Sequence, residues 1–234
     1  MGRLESIRPA HAFFHILVDF IFPPFCLLCE ARLSSVDGLI CPRCDQELPL
    51  LDQPLKSAER LDAHTATELH FSHSFAVFEF SDAVQQLIHD MKYHNMSRLG
   101  FYLGKRMAQR MPEDLVTSID AVVPVPLHPV RYRERGFNQS EMLAQGMSKH
   151  TGIPVLPNAI KRIRQTEQQA KFDRQARMAN VSGAFSVQHP ESLSGLCIAL
   201  VDDVMTTGST LNECAKCLLD AGAIEVIAFS VVRI

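Results

Sequence analysis

The sequence predicts an α/β protein with a mainly parallel sheet flanked by helices, preceded by a small cysteine-rich module. Three observations support this prediction. Apolar segments rich in Val, Ile and Phe alternate with amphipathic helical segments over residues 71–234, which is typical of parallel sheets covered on both faces. Two Cys-x2-Cys pairs lie within residues 26–44. A chain of 234 residues with 47% hydrophobic content is long enough for one main domain and a small accessory one.

The N-terminal segment, residues 12–22, is apolar but too short to span a bilayer, and His15 and Asp19 interrupt it. It lacks the small-residue cleavage site of a signal peptide. Its apolar residues recur at helical spacing, which predicts an amphipathic helix lying on the rest of the protein. Seven cysteines without an export signal indicate a reducing compartment, so we expect a cytoplasmic protein with no membrane span.

The two Cys-x2-Cys pairs predict a structural zinc ribbon. Eleven residues separate the pairs, and four thiolates at this spacing can close a tetrahedral site around Zn²⁺. Four buried thiols serving as small apolar groups would not favour two matched pairs. The expected zinc ligands are Cys26, Cys29, Cys41 and Cys44.

Residues 49–70 are polar and contain Pro49 and Pro54, which predicts a linker. We therefore expect an N-terminal part, residues 1–70, that holds the helix, the ribbon and the linker, and an α/β domain over residues 71–234. Within this domain we predict strands at 75–80, 120–126, 154–160, 196–203 and 225–232. Predicted helices start after an N-cap at Ser81 and also cover 97–111, 138–150 and 209–221.

The segment "VDDVMTTGST", residues 201–210, lies where such sheets bind ligands, beyond the carboxyl end of a strand and before a helix. Its backbone N–H groups, hydroxyls and helix N-terminus suit a phosphate. Asp202 and Asp203 suit a vicinal diol, because carboxylates accept hydrogen bonds from hydroxyls. A sugar phosphate satisfies both halves. A Walker A loop is excluded, since the Gly104-Lys105 pair precedes Arg106.

The chain resembles a known family. "VDDVMTTGST" is similar to the motif of type I phosphoribosyltransferases that binds 5-phosphoribosyl 1-pyrophosphate (PRPP). "VPVPLHPVRYRERGFNQSEMLA" and "RIRQTEQQAKFDRQARMANVSGAF" resemble the ComF/GntX family of phosphoribosyltransferase-like proteins. The three motifs stand in the family's order, and the resemblance covers nearly the whole chain.

The resemblance implies roles for individual residues. Asp202 and Asp203 would bind the ribose hydroxyls of PRPP, which comes with Mg²⁺. The 5′-phosphate would be held by Thr206, Thr207, Gly208, Ser209 and Thr210. A mobile hood would cover the site over 164–180. Candidates for the pyrophosphate and the hood are Pro124, Val125, Pro126, Arg131, Arg133, Arg135, Thr166, Gln169, Arg174, Arg177 and Lys92. Lys92 is also the kind of solvated lysine found at helix C-termini.

The resemblance also implies a role in DNA uptake or utilisation, with single-stranded DNA or DNA-uptake proteins as partners. Residues 127–180 carry ten Lys and Arg against four acids, a net charge of +6, which favours an anionic partner. Purine-type enzymes carry an aspartate where this chain has Thr206, so no proton acceptor for a base is visible. Two functions remain open: a phosphoribosyltransferase with an unknown acceptor, and a non-catalytic module whose binding to nucleic acid or protein PRPP regulates.

Three cysteines of the predicted α/β domain are expected in its core rather than at a metal. Cys214 and Cys217 form a further Cys-x2-Cys, but they lie on or near the apolar stripe of a predicted helix. Cys197 lies in a predicted buried strand. We therefore exclude all three from the site.

Overall fold

The structure is a computed structural model that describes residues 24–34, 38–58, 68–164 and 181–234. The expected N-terminal helix over 12–22 lies outside these residues, as does almost all of the expected hood. No helix among the described residues has both the length and the apolar character needed to cross a membrane.

The chain divides into two compact units between Leu48 and Pro49. In the first unit the second Cys-x2-Cys pair lies at helix α1, Pro42–Glu47: Cys41 is its N-cap and Cys44 lies within its first turn. The backbone at Phe25 pairs with that at Arg32 in an isolated antiparallel bridge, which closes the turn around the first Cys-x2-Cys pair.

The second unit alternates strands and helices. Its strands are β1 (Leu55–Ser57), β2 (His73–Phe78), β3 (Ala121–Pro124), β4 (Ile160–Arg162), β5 (Phe185–Val187), β6 (Cys197–Met205) and β7 (Glu225–Arg233). Its helices are α2 (Asp82–Tyr93), α3 (Ser97–Ala108), α4 (Glu113–Ser118), α5 (Pro129–Arg135), α6 (Gln139–Thr151) and α7 (Ser209–Asp220). This order confirms the predicted α/β class.

The main sheet has five strands in the order β1-β2-β7-β6-β3. Strands β2, β7, β6 and β3 run parallel, and β1 pairs antiparallel with β2 at the edge. Pro124, the last residue of β3, pairs with Val201 of β6. Asp202 and Asp203 therefore follow directly at the carboxyl edge of the parallel strands, where a ligand site is expected.

Both faces of the sheet are buried, as the apolar strands predict. Helix α7 packs on one face, where its buried residues share a core cluster with Ile198 and Leu200 of β6 and with Val226 and Ala228 of β7. The alternate residues of β6 and β7 are buried as well and point to the opposite face. Helix α6 contacts β6 and β3, and α3 contacts β7 and β2.

Two glycines let α3 and α6 pack closely. A Cβ atom on Gly104 would lie 2.0 Å from the Leu143 carbonyl oxygen, and one on Gly146 would lie 2.1 Å from the Phe101 carbonyl oxygen. Real Cβ atoms do not approach backbone oxygens so closely, so a larger residue would push the helices apart. This packing fixes the position of α6, whose N-terminus reaches the site described below.

Two sequence-based expectations differ from the structure. Within the expected linker, Leu55–Ser57 form β1, because an edge strand tolerates the nearby prolines and charges; the boundary at residue 70 stays a prediction. The expected strand over 154–160 is wrong in extent. Val155 makes only an isolated bridge to Val122, a turn follows, and Ile160–Arg162 pair with β5 in a separate two-stranded sheet. Pro154 and Pro157, which have no N–H to donate, explain why a regular strand does not form.

Candidate functional site

The two acids of the sequence motif lie near the carboxyl end of β6 and face different partners. Asp202 Oδ1 accepts a hydrogen bond from Ser140 Oγ at 3.0 Å and another from its neighbour's backbone N–H at 2.9 Å. Asp203 Oδ2 lies 2.9 Å from Lys92 Nζ. The side chains of this ion pair are only 21% and 13% exposed, so the interaction is poorly screened by water.

The carboxyl of Asp202 has a raised pKa and is a weaker acid than an ordinary aspartate. Desolvation by the surrounding protein and the negative charge of Asp203 raise its pKa to about 7, against an ordinary value of 3.8. The backbone hydrogen bond, Lys92 and Ser140 act in the opposite direction but do not compensate. An acid in such an environment ionises more readily when a ligand brings a cation or hydroxyl donors to it.

The turn after β6 has the geometry of an anion site. Gly208 adopts φ +71 and ψ 1, a left-handed conformation that favours glycine, and it is the N-cap of α7. A Cβ at this glycine would meet only ordinary contacts, so its conformation, rather than close packing, explains the residue. Thr207 Oγ1 lies 3.0 Å from Ser209 Oγ. The first N–H groups of α7 and these hydroxyls thus face the same turn.

Two cavities meet at the acid pair. One has a volume of about 440 Å³ and the other about 400 Å³. Lys92, Asp202, Asp203 and Thr210 line both of them. The turn from Thr206 to Ser209 also lines the smaller cavity, so the predicted diol and phosphate residues line the same cavity.

The larger cavity holds most of the expected pyrophosphate residues. It is lined by Val125, Pro126, Arg131 and Arg135, together with Lys92. Pro124 is buried at the end of β3 just before them. Arg133 is exposed and does not line either cavity. Thr166, Gln169, Arg174 and Arg177 lie outside the described residues.

Helix α6 connects this loop to the acids. Asn138 Nδ2 donates to the Val125 carbonyl at 3.0 Å, and its Oδ1 caps α6 by accepting from the Ser140 N–H at 3.1 Å. Ser140 in turn donates to Asp202. A single buried turn of helix therefore fixes both the loop after β3 and the acid at the end of β6.

Some cavity residues were missed by the sequence reasoning. Arg162 of β4 reaches the larger cavity, and its guanidinium lies 5.5 Å from the Phe185 ring centre; burial lowers its pKa. Asn138, Gln139 and Ser140 at the start of α6 also line it. The last three lie in the segment "VPVPLHPVRYRERGFNQSEMLA" and are polar residues at the start of a predicted helix, which was the available signal. Arg162 opens the segment "RIRQTEQQAKFDRQARMANVSGAF" and belongs to the basic stretch 127–180, but nothing distinguished it from the other cations there.

The four cysteines of the N-terminal motif form a cluster that suits zinc. Their sulfur atoms all lie within 4.8 Å of one another, and Cys29 Sγ is 3.7 Å from Cys41 Sγ. Burial opposes ionisation of Cys26, but hydrogen bonds from the backbone of Cys41, Leu28 and Cys29 outweigh it and lower its pKa to about 6. Four soft ligands without an open position support a structural Zn²⁺ site.

Other cysteines behave as core residues. Cys214 of α7 is fully buried in the core cluster that α7 shares with the sheet, and Cys217 packs against this cluster. Cys197 is buried in β6. None of the seven cysteines forms a disulfide bond in this structure.

Several known proteins are similar to this chain. Residues 17–55 match the family described as double zinc ribbon domain. The chain is 30% identical to competence protein F of Haemophilus influenzae, over 89% of this chain and 96% of that protein. It is 29% identical to DNA utilization protein YhgH of Escherichia coli K12, over 89% of both chains. Among solved structures it is similar to glutamine PRPP amidotransferase from B. subtilis, with 24% identity, a TM-score of 0.40, and coverage of 58% of this chain and 26% of that chain.

Proposed function

Because the chain belongs to the competence protein F family, we propose that its phosphoribosyltransferase-like domain binds PRPP with Mg²⁺ and acts in DNA uptake or utilisation. One observation carries the proposal: the acid pair, the threonine-rich turn and a cation-lined loop surround two cavities that share Asp202 and Asp203. A ligand with a diol between a phosphate and a pyrophosphate matches this order of groups.

The acid pair suits the ribose. Asp202 and Asp203 accept hydrogen bonds as carboxylates. They line both cavities, one of which is also lined by the loop after β3 and the other by the turn after β6. Lys92 neutralises Asp203, which reduces the repulsion between two adjacent carboxylates. The pair can therefore accept hydroxyl hydrogen bonds without excluding an anionic ligand.

The turn suits the 5′-phosphate. Thr206, Thr207, Ser209 and Thr210 supply hydroxyls or N–H groups around Gly208, and the N-terminal end of α7 favours negative charge. Only Val204 and Met205 separate the turn from the acids along the chain, and a phosphate likewise lies close to the hydroxyls of a ribose.

The loop after β3 suits the pyrophosphate. Val125 and Pro126 line the larger cavity with Arg131 and Arg135, and Arg131 pairs with Glu134 at 2.7 Å. Gln169 and Arg177 remain proposed contacts of a hood.

The larger cavity contains few acids for a divalent cation, and one of them is already paired with Lys92. Mg²⁺ would thus be held mainly by phosphate oxygens of PRPP, near Asp202 and Asp203, and would supply charge neutralisation of the pyrophosphate.

Single-stranded DNA or a DNA-uptake protein is the proposed macromolecular partner. Tyr132 on α5 is 49% exposed beside the exposed Arg133, and an aromatic ring next to cations can stack on a base and contact a phosphate. The zinc ribbon is a second proposed contact surface. A cytoplasmic location belongs to the same proposal, since free cysteines persist in reducing compartments.

A non-catalytic role is the second candidate. Thr206 is exposed and is not an acid, so the turn offers no carboxylate to accept a proton from a nucleobase. PRPP would then regulate the attachment of nucleic acid or protein without being consumed.

The test begins with PRPP binding. Equilibrium dialysis of the full chain with labelled PRPP, with and without Mg²⁺, should show saturable binding that Mg²⁺ strengthens. Absence of saturable binding by folded protein would refute the proposal.

A second measurement separates the two functions. Pyrophosphate release should be followed with PRPP, Mg²⁺ and a panel of bases, amines and single-stranded DNA. Release above the uncatalysed rate identifies a transferase and its acceptor class. Binding of PRPP without release for every acceptor favours the regulatory module.

A further inference from the structure

The side-chain amide of Gln139 is buried, and among the described residues only its oxygen has a hydrogen-bond partner. Gln139 is the first residue of α6 and is only 2% exposed. It lines the larger cavity. Its Oε1 accepts from Arg135 Nη1 at 2.9 Å. Its Nε2 is buried and has no hydrogen-bond partner among the residues that the structure describes.

The orientation of this amide is fixed by chemistry. A guanidinium has only donors, so the oxygen of Gln139 must face Arg135 and the nitrogen must face away from it. Arg135 is itself positioned over the ring of Tyr93, with its central carbon 5.4 Å from the ring centre. An amide N–H without an acceptor is costly in a buried position, which indicates that a ligand supplies the acceptor.

The surroundings of Gln139 favour an anionic acceptor. The N-terminal end of α6, a helix of 13 residues, contributes a partial positive charge at this point. Among the ionic side chains lining the cavity, Lys92 pairs with Asp203 and Arg131 pairs with Glu134. Arg135 and Arg162 are the other cations of the lining. The electrostatics of the cavity therefore suit a group with several charged oxygens.

The position of Gln139 beside the acid pair selects among anions. Its chain neighbour Ser140 donates a hydrogen bond to Asp202, a carboxylate proposed to hold the ribose. A diphosphate attached to the ribose can reach both. The phosphate of a nucleic-acid strand, flanked by nucleotides on both sides, fits a buried amide less well.

We propose that Gln139 Nε2, with Arg135, forms a diphosphate subsite at the N-terminus of α6 and donates a hydrogen bond to a phosphate oxygen there. This inference rests on the proposed function, because the diphosphate is either the pyrophosphate half of PRPP or free pyrophosphate. The subsite recognises the oxygen by a neutral donor whose direction Arg135 sets.

Calorimetric titration with three ligands tests the subsite. Wild type, Gln139→Met and Gln139→Glu are titrated with Mg-PRPP, Mg-pyrophosphate and ribose 5-phosphate, and Gln145→Met on the exposed side of α6 is the matched control. We expect Gln139→Met to weaken PRPP and pyrophosphate by the same factor, roughly tenfold, as for a hydrogen bond to a charged acceptor. Gln139→Glu should weaken them further by repulsion, although it keeps the contact with Arg135. Ribose 5-phosphate affinity and the control should not change.

The outcomes separate this inference from the function on which it rests. Equal losses for all three ligands would mean that Gln139 only maintains the structure, and unchanged pyrophosphate affinity in both variants would overturn the subsite. A loss confined to an added single-stranded oligonucleotide would overturn it in favour of nucleic-acid phosphate. If wild type binds pyrophosphate but neither PRPP nor ribose 5-phosphate, the proposed function fails while the pyrophosphate titration still decides the role of Gln139. Thermal melting of each variant verifies that it is folded.

Discussion

Lys92 Nζ lies 2.9 Å from Asp203 Oδ2, and this ion pair joins the last turn of α2 to the carboxyl end of β6. The two residues are far apart in the chain, and both line the two cavities of the site. The pair places a positive charge where two adjacent carboxylates would otherwise repel a phosphorylated ligand. Lys92 is therefore a paired and mostly buried residue, not a solvated lysine at a helix end.

Replacement of Lys92 tests its part in ligand binding. Lys92→Met leaves Asp203 without its partner next to Asp202, so we expect PRPP affinity to fall roughly tenfold or more, about 1.4 kcal/mol. Calorimetric titration measures it. Lys105→Met, at an exposed position of α3, is the control and should bind as wild type does. Equal affinities for wild type and Lys92→Met would mean that the ion pair serves only the fold.

The pKa of Asp202 predicts a dependence of stability on pH. Its folded-state pKa of about 7 exceeds the ordinary 3.8, so between these values the folded protein retains a proton that the unfolded chain has lost. This group therefore makes stability fall as pH rises from about 4 to about 7, with no further loss above. Asp203 strengthens the effect and Lys92 weakens it.

Removal of the charge gives the corresponding measurement. Asp202→Asn should flatten this part of the pH profile and melt at a higher temperature than wild type at pH 8 in the absence of ligand. Asp220→Asn, on the exposed end of α7, is the control and should leave the profile unchanged. A profile of Asp202→Asn that parallels wild type would contradict the raised pKa.

Gly104 predicts a large effect of a small substitution. In Gly104→Ala the new methyl group would lie 2.0 Å from the Leu143 carbonyl oxygen, so α3 and α6 must separate. We expect destabilisation of about 1–3 kcal/mol, although alanine ordinarily favours a helix over glycine. Urea unfolding measures it, and Gln145→Ala on exposed α6 should stay within about 0.5 kcal/mol of wild type. A neutral Gly104→Ala would show that the helices are not in close contact.

The cysteine cluster predicts one zinc ion per chain. The double variant Cys26→Ser and Cys41→Ser removes two of the four sulfur ligands, so metal analysis of the purified protein should find the zinc lost. Cys217→Ser lies outside the cluster and should retain it. Stoichiometric zinc in the double variant would exclude the ribbon as the binding site.

Local sequence accounts for the half of the site formed by β6 and α7. An apolar strand, two acids, a glycine turn and a helix are contiguous in residues 201–210, and the parallel alternation places them at the ligand edge of the sheet. The predicted N-cap at Ser81 is observed, because its hydroxyl bonds within its own turn. Asn138, predicted only as the start of a helix, is the N-cap of α6.

The other half of the site depends on contacts between distant elements. Ser140 reaches Asp202 only because α6 packs against β6 through its glycine contact with α3. Arg162 enters the cavity because β4 leaves the main sheet and pairs with β5, whereas the apolar residues near it favoured a strand of the main sheet. Periodicity reports which residues are buried, not which elements they meet.

Titration of the protein with Mg-PRPP tests the central claim most directly, in wild type and in the double variant Asp202→Asn and Asp203→Asn. Wild type should bind one PRPP per chain, and the double variant should lose measurable binding while it still melts cooperatively, with Asp220→Asn binding as wild type does. Equal PRPP affinity in wild type and a folded double variant would show that the acid pair does not hold the ribose.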